Sequence, residues 1–95
     1  AGGILELAVP VKDYQLSEVA RIVEDNDAEI LCFYTNINQA DQKVEITIKL
    51  NTTEVSAIVA SFERYEYEVK AIHNDTEYTE DLRERYDSFM RYMNV

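Results

Sequence analysis

Basic residues are scarce in this chain of 95 residues: 9 Lys and Arg stand against 19 Asp and Glu, which gives a formal net charge of -10. Such a surplus of negative charge repels phosphate backbones and anionic membrane surfaces. Long apolar runs are also lacking, since no run approaches the ~18 residues of a membrane-spanning helix. We therefore expect no nucleic acid and no membrane among its partners, and we predict a soluble, cytoplasmic protein.

Cysteine and histidine occur once each, as Cys32 and His73. A single cysteine forms no internal disulfide, which fits a reducing compartment. Neither residue has a neighbour at a spacing suited to zinc binding or to nucleophilic catalysis. We interpret Cys32 as a small strand residue and His73 as an exposed residue near a strand end, and we predict no catalytic residue and no cofactor.

One acidic run could gather a hard cation, because carboxylate oxygens are ligands for such ions. It lacks the register and the glycine of a calcium-binding loop, so a solvated surface is the favoured interpretation; its members are Asp75, Glu77, Glu80 and Asp81. No metal site is predicted.

Alternating and continuous apolar stretches predict four strands. Leu5, Leu7 and Val9 share one face of a strand over 4–9, and Pro10 ends its ladder because proline has no N–H to donate. The nearly continuous apolar stretch 28–35 predicts a second strand with both faces covered. Strict alternation over 44–50 predicts a third strand, and 67–73 a fourth.

Helical spacing of apolar residues lies between these strands. The first helix presents Leu16, Val19, Ala20 and Val23, with Asp13 as its expected N-cap and Asn26-Asp27 as its exit. The second presents Val55, Ile58, Val59 and Phe62, with Asn51 in the cap position. A third, C-terminal helix is predicted over 80–94, with an apolar stripe formed by Leu82, Tyr86, Phe89, Met90 and Met93.

A short repeat supports the overall architecture, because the stretch 17–23 resembles the stretch 53–59 and each lies between two strands. Two successive β-α-β units make a split βαβ sandwich. We predict one α+β domain over 1–95, with a ferredoxin-like βαββαβ core at 4–73 and a four-stranded antiparallel sheet covered by both helices on one face. Ile4, Ala8 and Ile72 suggest that the other face also needs a cover, from the third helix or from a second copy.

The run from Leu5 to Leu31 resembles the opening β-α-β unit of an ACT domain, with its strand, loop and helix of alternating Leu, Val and Ile. The whole chain also resembles the C-terminal module of bacterial proteins with paired CBS domains, often named acetoin utilization proteins. The matching stretches are the opening Gly-Gly-Ile-Leu, the Asp-Tyr-x-Leu at 13–16 and the closing segment 85–95. This resemblance implies a non-catalytic regulatory domain that forms a homodimer, cut from a longer protein with a CBS-domain pair in the same chain.

ACT domains bind amino acids or related small effectors in the loop between β1 and α1, often at a dimer interface. The resemblance therefore implies a ligand site at Val11, Lys12, Asp13, Tyr14 and Gln15. The family usually has a glycine in this loop, where this chain has Tyr14. Two readings stay open: an effector-sensing regulatory domain, or a structural dimerisation module in which Asp13 caps the helix and Tyr14 packs at its edge.

Overall fold

The computed structural model describes residues 2–74. The predicted C-terminal helix over 80–94 and the acidic run that begins at Asp75 lie outside these residues. Along the chain the elements are β1 (Gly3–Pro10), a single 3-10 turn (Val11–Asp13), α1 (Leu16–Asp25), β2 (Ile30–Asn38), β3 (Lys43–Leu50), α2 (Ser56–Arg64) and β4 (Glu68–Asn74). The βαββαβ order predicted from the sequence is therefore present.

The four strands form one antiparallel sheet in the order β2-β3-β1-β4. This α+β arrangement of an open sheet with two helices is compatible with a ferredoxin-like fold. The central pair β1 and β3 is in regular register, with Leu5 opposite Ile48 and Leu7 opposite Ile46. Because directly opposite residues share a face, the alternation of these two strands places their large aliphatic side chains on one side, with the exception of Ile4.

The hydrophobic core lies between that face of the sheet and the two helices. The first helix contributes Val19, Ile22 and Val23, and the second contributes Ile58 and Phe62. Leu16, expected on the buried stripe of α1, is exposed, and Ile22 is buried instead. Leu16 is the first residue of the helix, whereas Ile22 lies further along it, beside the buried Val19 and Val23. The core strand residues are Leu5, Leu7, Val9, Val44, Ile46, Ile48 and Leu50.

The second strand differs from its prediction. It runs from Ile30 to Asn38, and among the described strands it lies at an edge of the sheet, with β3 as its neighbour. Phe33 packs against the core, but Leu31, Tyr34 and Ile37 are exposed. An unbroken apolar stretch thus marks an edge strand here, not a strand covered on both faces.

Both helices end in the same Schellman motif. In α1 the Ala28 N–H donates to the Val23 carbonyl and the Asp27 N–H to the Glu24 carbonyl, while Asp27 has a φ of 59°. A left-handed residue at this position and these two bonds satisfy the last carbonyls of a helix. The predicted exit of α1 at Asn26-Asp27 is confirmed.

The second helix repeats this ending with the Tyr67 N–H on the Phe62 carbonyl, the Glu66 N–H on the Glu63 carbonyl and a φ of 68° at Glu66. Val23 thus corresponds to Phe62, whereas the sequence repeat pairs Val23 with Val59. The two halves are equivalent in structure, but the structural correspondence is shifted by three residues from the one that the sequence repeat indicates.

Neither expected N-cap is present. The N-cap residue of α1 is Gln15, not Asp13, and that of α2 is Val55, and neither makes a capping side-chain hydrogen bond. The turn that follows Pro10 takes up Val11–Asp13 and delays the start of α1. The Asn51 Oδ1 accepts from the Glu29 N–H at 2.9 Å instead, which ties the start of β2 to the end of β3.

The second face of the sheet is largely polar, although Ile4 and Ala8 are buried on it. Its carboxylates are matched by basic side chains across the strands: His73 Nε2 lies 3.0 Å from Glu6 Oε2, Lys70 Nζ 3.3 Å from Glu45 Oε2, and Lys43 Nζ 3.7 Å from Glu68 Oε2. This face has fewer aliphatic side chains than the sequence predicted, because Ile72 lies opposite Leu5 and therefore on the helix side.

Gly2 and Gly3 lie very close to the segment that follows β3. The Gly3 N–H donates to the Thr52 carbonyl at 2.8 Å, and a Cβ at Gly2 would collide with the Leu50 carbonyl oxygen. Only glycine lets two stretches of backbone approach so closely. Within residues 2–74, neither helix has the length and apolar character needed to cross a bilayer.

Candidate functional site

The loop after β1 is held in place by backbone hydrogen bonds. The Val11 N–H donates to the Gln42 carbonyl at 3.0 Å, and the Tyr14 N–H donates to the Val11 carbonyl at 3.3 Å. The first bond fixes the loop to the turn between β2 and β3, and the second closes the 3-10 turn. The loop is thus an ordered ledge at one end of the sheet.

The five residues expected to form a ligand site divide into two groups. Lys12, Asp13 and Gln15 line a cleft of about 390 Å³ beside the end of β1. Tyr14 turns away and packs against the hydrophobic core, and Val11 is exposed outside the cleft lining. The ring of Tyr14 therefore packs at the edge of the core and does not occupy the cleft.

The opposite wall of the cleft comes from a distant part of the sequence. Tyr65 and Glu66, in the connection from α2 to β4, face the β1–α1 loop together with Glu18 of α1, and Val9 and Pro10 complete the lining. We refer to this space as the loop cleft. No sequence pattern indicated Glu18, Tyr65 or Glu66 as residues of a site. The only usable signal was the equivalence of the two β-α-β halves, which places the loop before α1 near the loop after α2.

Glu18 is fixed by its neighbours. The Tyr67 hydroxyl donates to Glu18 Oε1 at 2.8 Å, and Arg21 Nη2 lies 4.0 Å from Glu18 Oε2. Burial of the Tyr67 ring, followed by the hydrogen bond to Glu18, raises the pKa of the Tyr67 hydroxyl far above its ordinary value. The hydroxyl thus stays protonated and keeps donating throughout the neutral range.

Tyr65 is also held, because the Arg21 guanidinium lies 5.6 Å from the centre of its ring, at cation–π distance. Glu66 adopts the left-handed backbone region as the terminal residue of the Schellman motif. The cleft therefore offers carboxylates from Asp13, Glu18 and Glu66 and one ammonium group from Lys12. Both signs of charge are present, and the side chains of Glu18 and Tyr65 are held by their neighbours.

A second, smaller groove of about 290 Å³ lies on the polar face of the sheet. Its charged groups already serve one another: Glu45 accepts from Lys70 and, at 3.4 Å, from Asn36 Nδ2. Glu6, which also lines the groove, is bonded to His73. A ligand would have to displace these partners, so the loop cleft is the better candidate site.

Cys32 and His73, the single cysteine and histidine, do not line the loop cleft or the groove on the polar face. Cys32 is half-buried in β2, and His73 lies in β4 against Glu6. No three His, Cys, Asp or Glu side chains of residues 2–74 come together in a way that could hold a metal ion. His73 is thus tied to a carboxylate instead of standing exposed at the strand end.

No protein family, curated protein or solved structure matches the chain.

Proposed function

We propose that this chain is a non-catalytic regulatory module that forms a homodimer and binds a small polar effector in the loop cleft. The observation that carries the proposal is the cleft itself, in which Lys12 and Asp13 on one wall face Glu66 on the other. Binding sites for small molecules are concave and place a few polar groups of fixed orientation around the ligand. The ACT resemblance supports the same place, since effectors of that family bind after β1.

The charges of the cleft favour a zwitterion such as an amino acid or a related metabolite. The Lys12 ammonium suits a carboxylate, and the carboxylates of Asp13 and Glu66 suit an amine, through charge-assisted hydrogen bonds. Because Glu18 is engaged by Tyr67 and Arg21, the carboxylates of Asp13 and Glu66 against the Lys12 ammonium favour ligands whose cationic part is at least as prominent as their anionic part. In a longer protein, such a module would pass the binding event to a neighbouring CBS-domain pair, as the resemblance implies.

A thermal-shift screen of the 95-residue chain against amino acids, amines and nucleotides tests this proposal. A compound that binds the folded state alone raises the melting temperature as its concentration rises above its Kd. The Lys12→Gln variant should lose the response to a carboxylate-bearing compound. Lys70→Gln is the matched control, because it removes the same charge from the other face of the sheet, where Lys70 pairs with Glu45. A screen without any shift, or an equal loss in both variants, would sink the effector proposal.

The second candidate function is a structural dimerisation module without a ligand. It is favoured by the exposed apolar side chains of the edge strand β2. Under this alternative the wild-type chain is a dimer whose mass and stability are the same with and without every compound of the screen.

A further inference from the structure

Ile4 is buried on the face of the sheet that points away from both described helices. It lies in β1 between Lys49 of β3 and His73 of β4, and it is not part of the core cluster of residues 2–74. Its exposed fraction is nevertheless only 4%. In antiparallel sheets with helices on one side, the other face is commonly in contact with water. The burial of Ile4 therefore needs an explanation.

The neighbouring strands do not explain this burial, as a comparison with Thr47 shows. Thr47 lies on the same face, in the central strand β3, directly between Glu6 and Tyr34. Like Ile4, it has a longer side chain on either side, and its own side chain is smaller. Thr47 is nevertheless only half-buried, although Ile4 is nearer to the end of its strand. We therefore attribute the burial of Ile4 to a segment that lies across this end of the polar face.

We infer that the C-terminal segment 75–95 of this chain crosses the polar face at Ile4 and packs its apolar stripe on that side chain. Strand β4 ends at Asn74, which pairs with Gly3, so the chain leaves the sheet at this end. At the same edge but on the helix side, Ile72 is 53% exposed. A segment that turned towards the helices would cover Ile72, so the burial of Ile4 points to the polar face.

The dimensions of the segment fit this path. The apolar stripe of the predicted C-terminal helix extends from Leu82 to Met93, which is ~16 Å along a helix axis. The sheet is ~14 Å wide from β4 to β2, since neighbouring strands lie ~4.8 Å apart. The connection 75–79 can reach ~17 Å, which is enough for the chain to turn back over the sheet. One helix laid across the strands can therefore contact all four.

Charge and side-chain size at this end of the polar face also suit the segment. Lys49 is the direct neighbour of Ile4, and the acidic run that begins at Asp75 follows immediately after β4. Opposite charges thus come together where the segment begins to cross the sheet. Cys32 and Ala71, on the same face, are small and half-buried, so an apolar stripe can approach the strands closely.

A second copy of the chain would be a poorer cover for Ile4. Interfaces between separate proteins bury ~1,200 Å² or more in total, whereas this end of the face has one large aliphatic side chain among polar and charged ones. A segment of the same chain has a local concentration of roughly millimolar and brings its own apolar stripe. The inference is independent of the proposed function, because the loop cleft lies at the other end of β1.

NMR spectroscopy of the isotope-labelled 95-residue chain tests the inference through methyl contacts. We expect nuclear Overhauser effects between the Ile4 δ1 methyl group and side-chain protons of the stripe, and none between the stripe and the Ile72 methyl groups. In a mixture of labelled and unlabelled chains, isotope-filtered spectra should lack the Ile4 contacts, because they form within one chain. Missing Ile4 contacts, contacts to Ile72 in their place, or Ile4 contacts in the filtered spectra would each overturn the inference.

Two substitutions to aspartate add a matched comparison. Phe89→Asp puts a carboxylate into the stripe, whereas Ser88→Asp puts it on the opposite side of the predicted helix. Because an unpaired carboxylate is costly to bury, Phe89→Asp should shift the Ile4 methyl signal and abolish its contacts with the stripe, and Ser88→Asp should preserve both. The methyl signals of Ile48, in the core on the helix side, should stay unchanged and report an intact fold. Equal effects of the two variants would overturn the inference, and the wild-type contacts decide if Phe89→Asp does not fold.

Discussion

The Tyr67 hydroxyl donates a hydrogen bond of 2.8 Å to Glu18, and the Tyr67 ring meets the Phe62 ring edge to face at a centroid distance of 5.2 Å. One side chain thus joins α1, the end of α2 and the residue before β4. The ring contact belongs to the hydrophobic core, whereas the hydroxyl contact belongs to the wall of the loop cleft. Substitutions that separate the ring from the hydroxyl therefore separate stability of the core from order in the cleft.

Tyr67→Phe keeps the ring and removes the hydroxyl. Because the lost hydrogen bond has a charged acceptor, we expect the free energy of unfolding to fall by about 1.5 kcal/mol in urea titrations at neutral pH. Tyr65→Phe is the control, since Tyr65 is exposed and its ring keeps Arg21 above it. Equal stability of the wild type and Tyr67→Phe would contradict the role given to this bond.

Alkaline pH should destabilise the wild-type chain through the same hydroxyl. Its pKa is raised in the folded state, so the stabilisation is complete below the ordinary tyrosine pKa of about 10 and declines as the pH rises above it, because only the unfolded chain then ionises. The wild type should lose its advantage over Tyr67→Phe between neutral pH and about pH 11. Urea titrations of both proteins across this range measure the difference, and a constant difference would refute the prediction.

Glu66→Gly should stabilise the fold. Glu66 has a φ of 68°, a backbone conformation that costs a residue with a side chain about 1–2 kcal/mol. Glycine removes this strain, but the greater entropy of its unfolded state offsets part of the stabilisation. We expect a net gain of about 0.5 kcal/mol in urea titrations. Asp27→Gly, at the equivalent position of α1, should gain less because aspartate tolerates the left-handed region. A loss of stability in Glu66→Gly would show that the Glu66 side chain makes a contribution greater than the strain.

Ile48→Val and Ile72→Val remove the same methylene group from two places on the helix side of the sheet. Ile48 is fully buried in the core, whereas Ile72 lies at the β4 edge and is largely exposed. We expect a loss of about 1 kcal/mol for Ile48→Val and less than about 0.5 kcal/mol for Ile72→Val in thermal or urea unfolding. Similar losses would mean that the core extends over the β4 edge.

The strands that alternate were the easiest to predict, because a period of two residues assigns each side chain to a face without knowledge of its neighbours. The buried faces of β1 and β3 follow from that alternation alone. The position of β2 could not be predicted in the same way: a run such as Ile30–Tyr34 is equally compatible with a strand covered on both faces and with an uncharged edge. Only the order of the strands in the sheet distinguishes the two.

The sequence analysis named residues on one wall of the loop cleft but none on the opposite wall. Lys12, Asp13 and Gln15 were candidates because the resemblance to ACT domains implies a ligand site in the loop after β1. Tyr65 and Glu66 line the same cleft from the end of α2. Their position depends on the Schellman motif that ends this helix, and the sequence has Glu66 where such a motif usually has glycine. Asp13 was given a capping role because the loop length after Pro10 was underestimated by one short turn.

Charge is unevenly placed within residues 2–74: acidic and basic residues balance on the strands, and the acidic surplus falls on the helices and loops. On a positively charged support, such as an anion-exchange resin or an amine-coated sensor, the molecule should therefore settle with its helices down. The strand edges and the polar face would then point towards the liquid. A sensor prepared in this way would present the polar face without chemical attachment or an engineered tag.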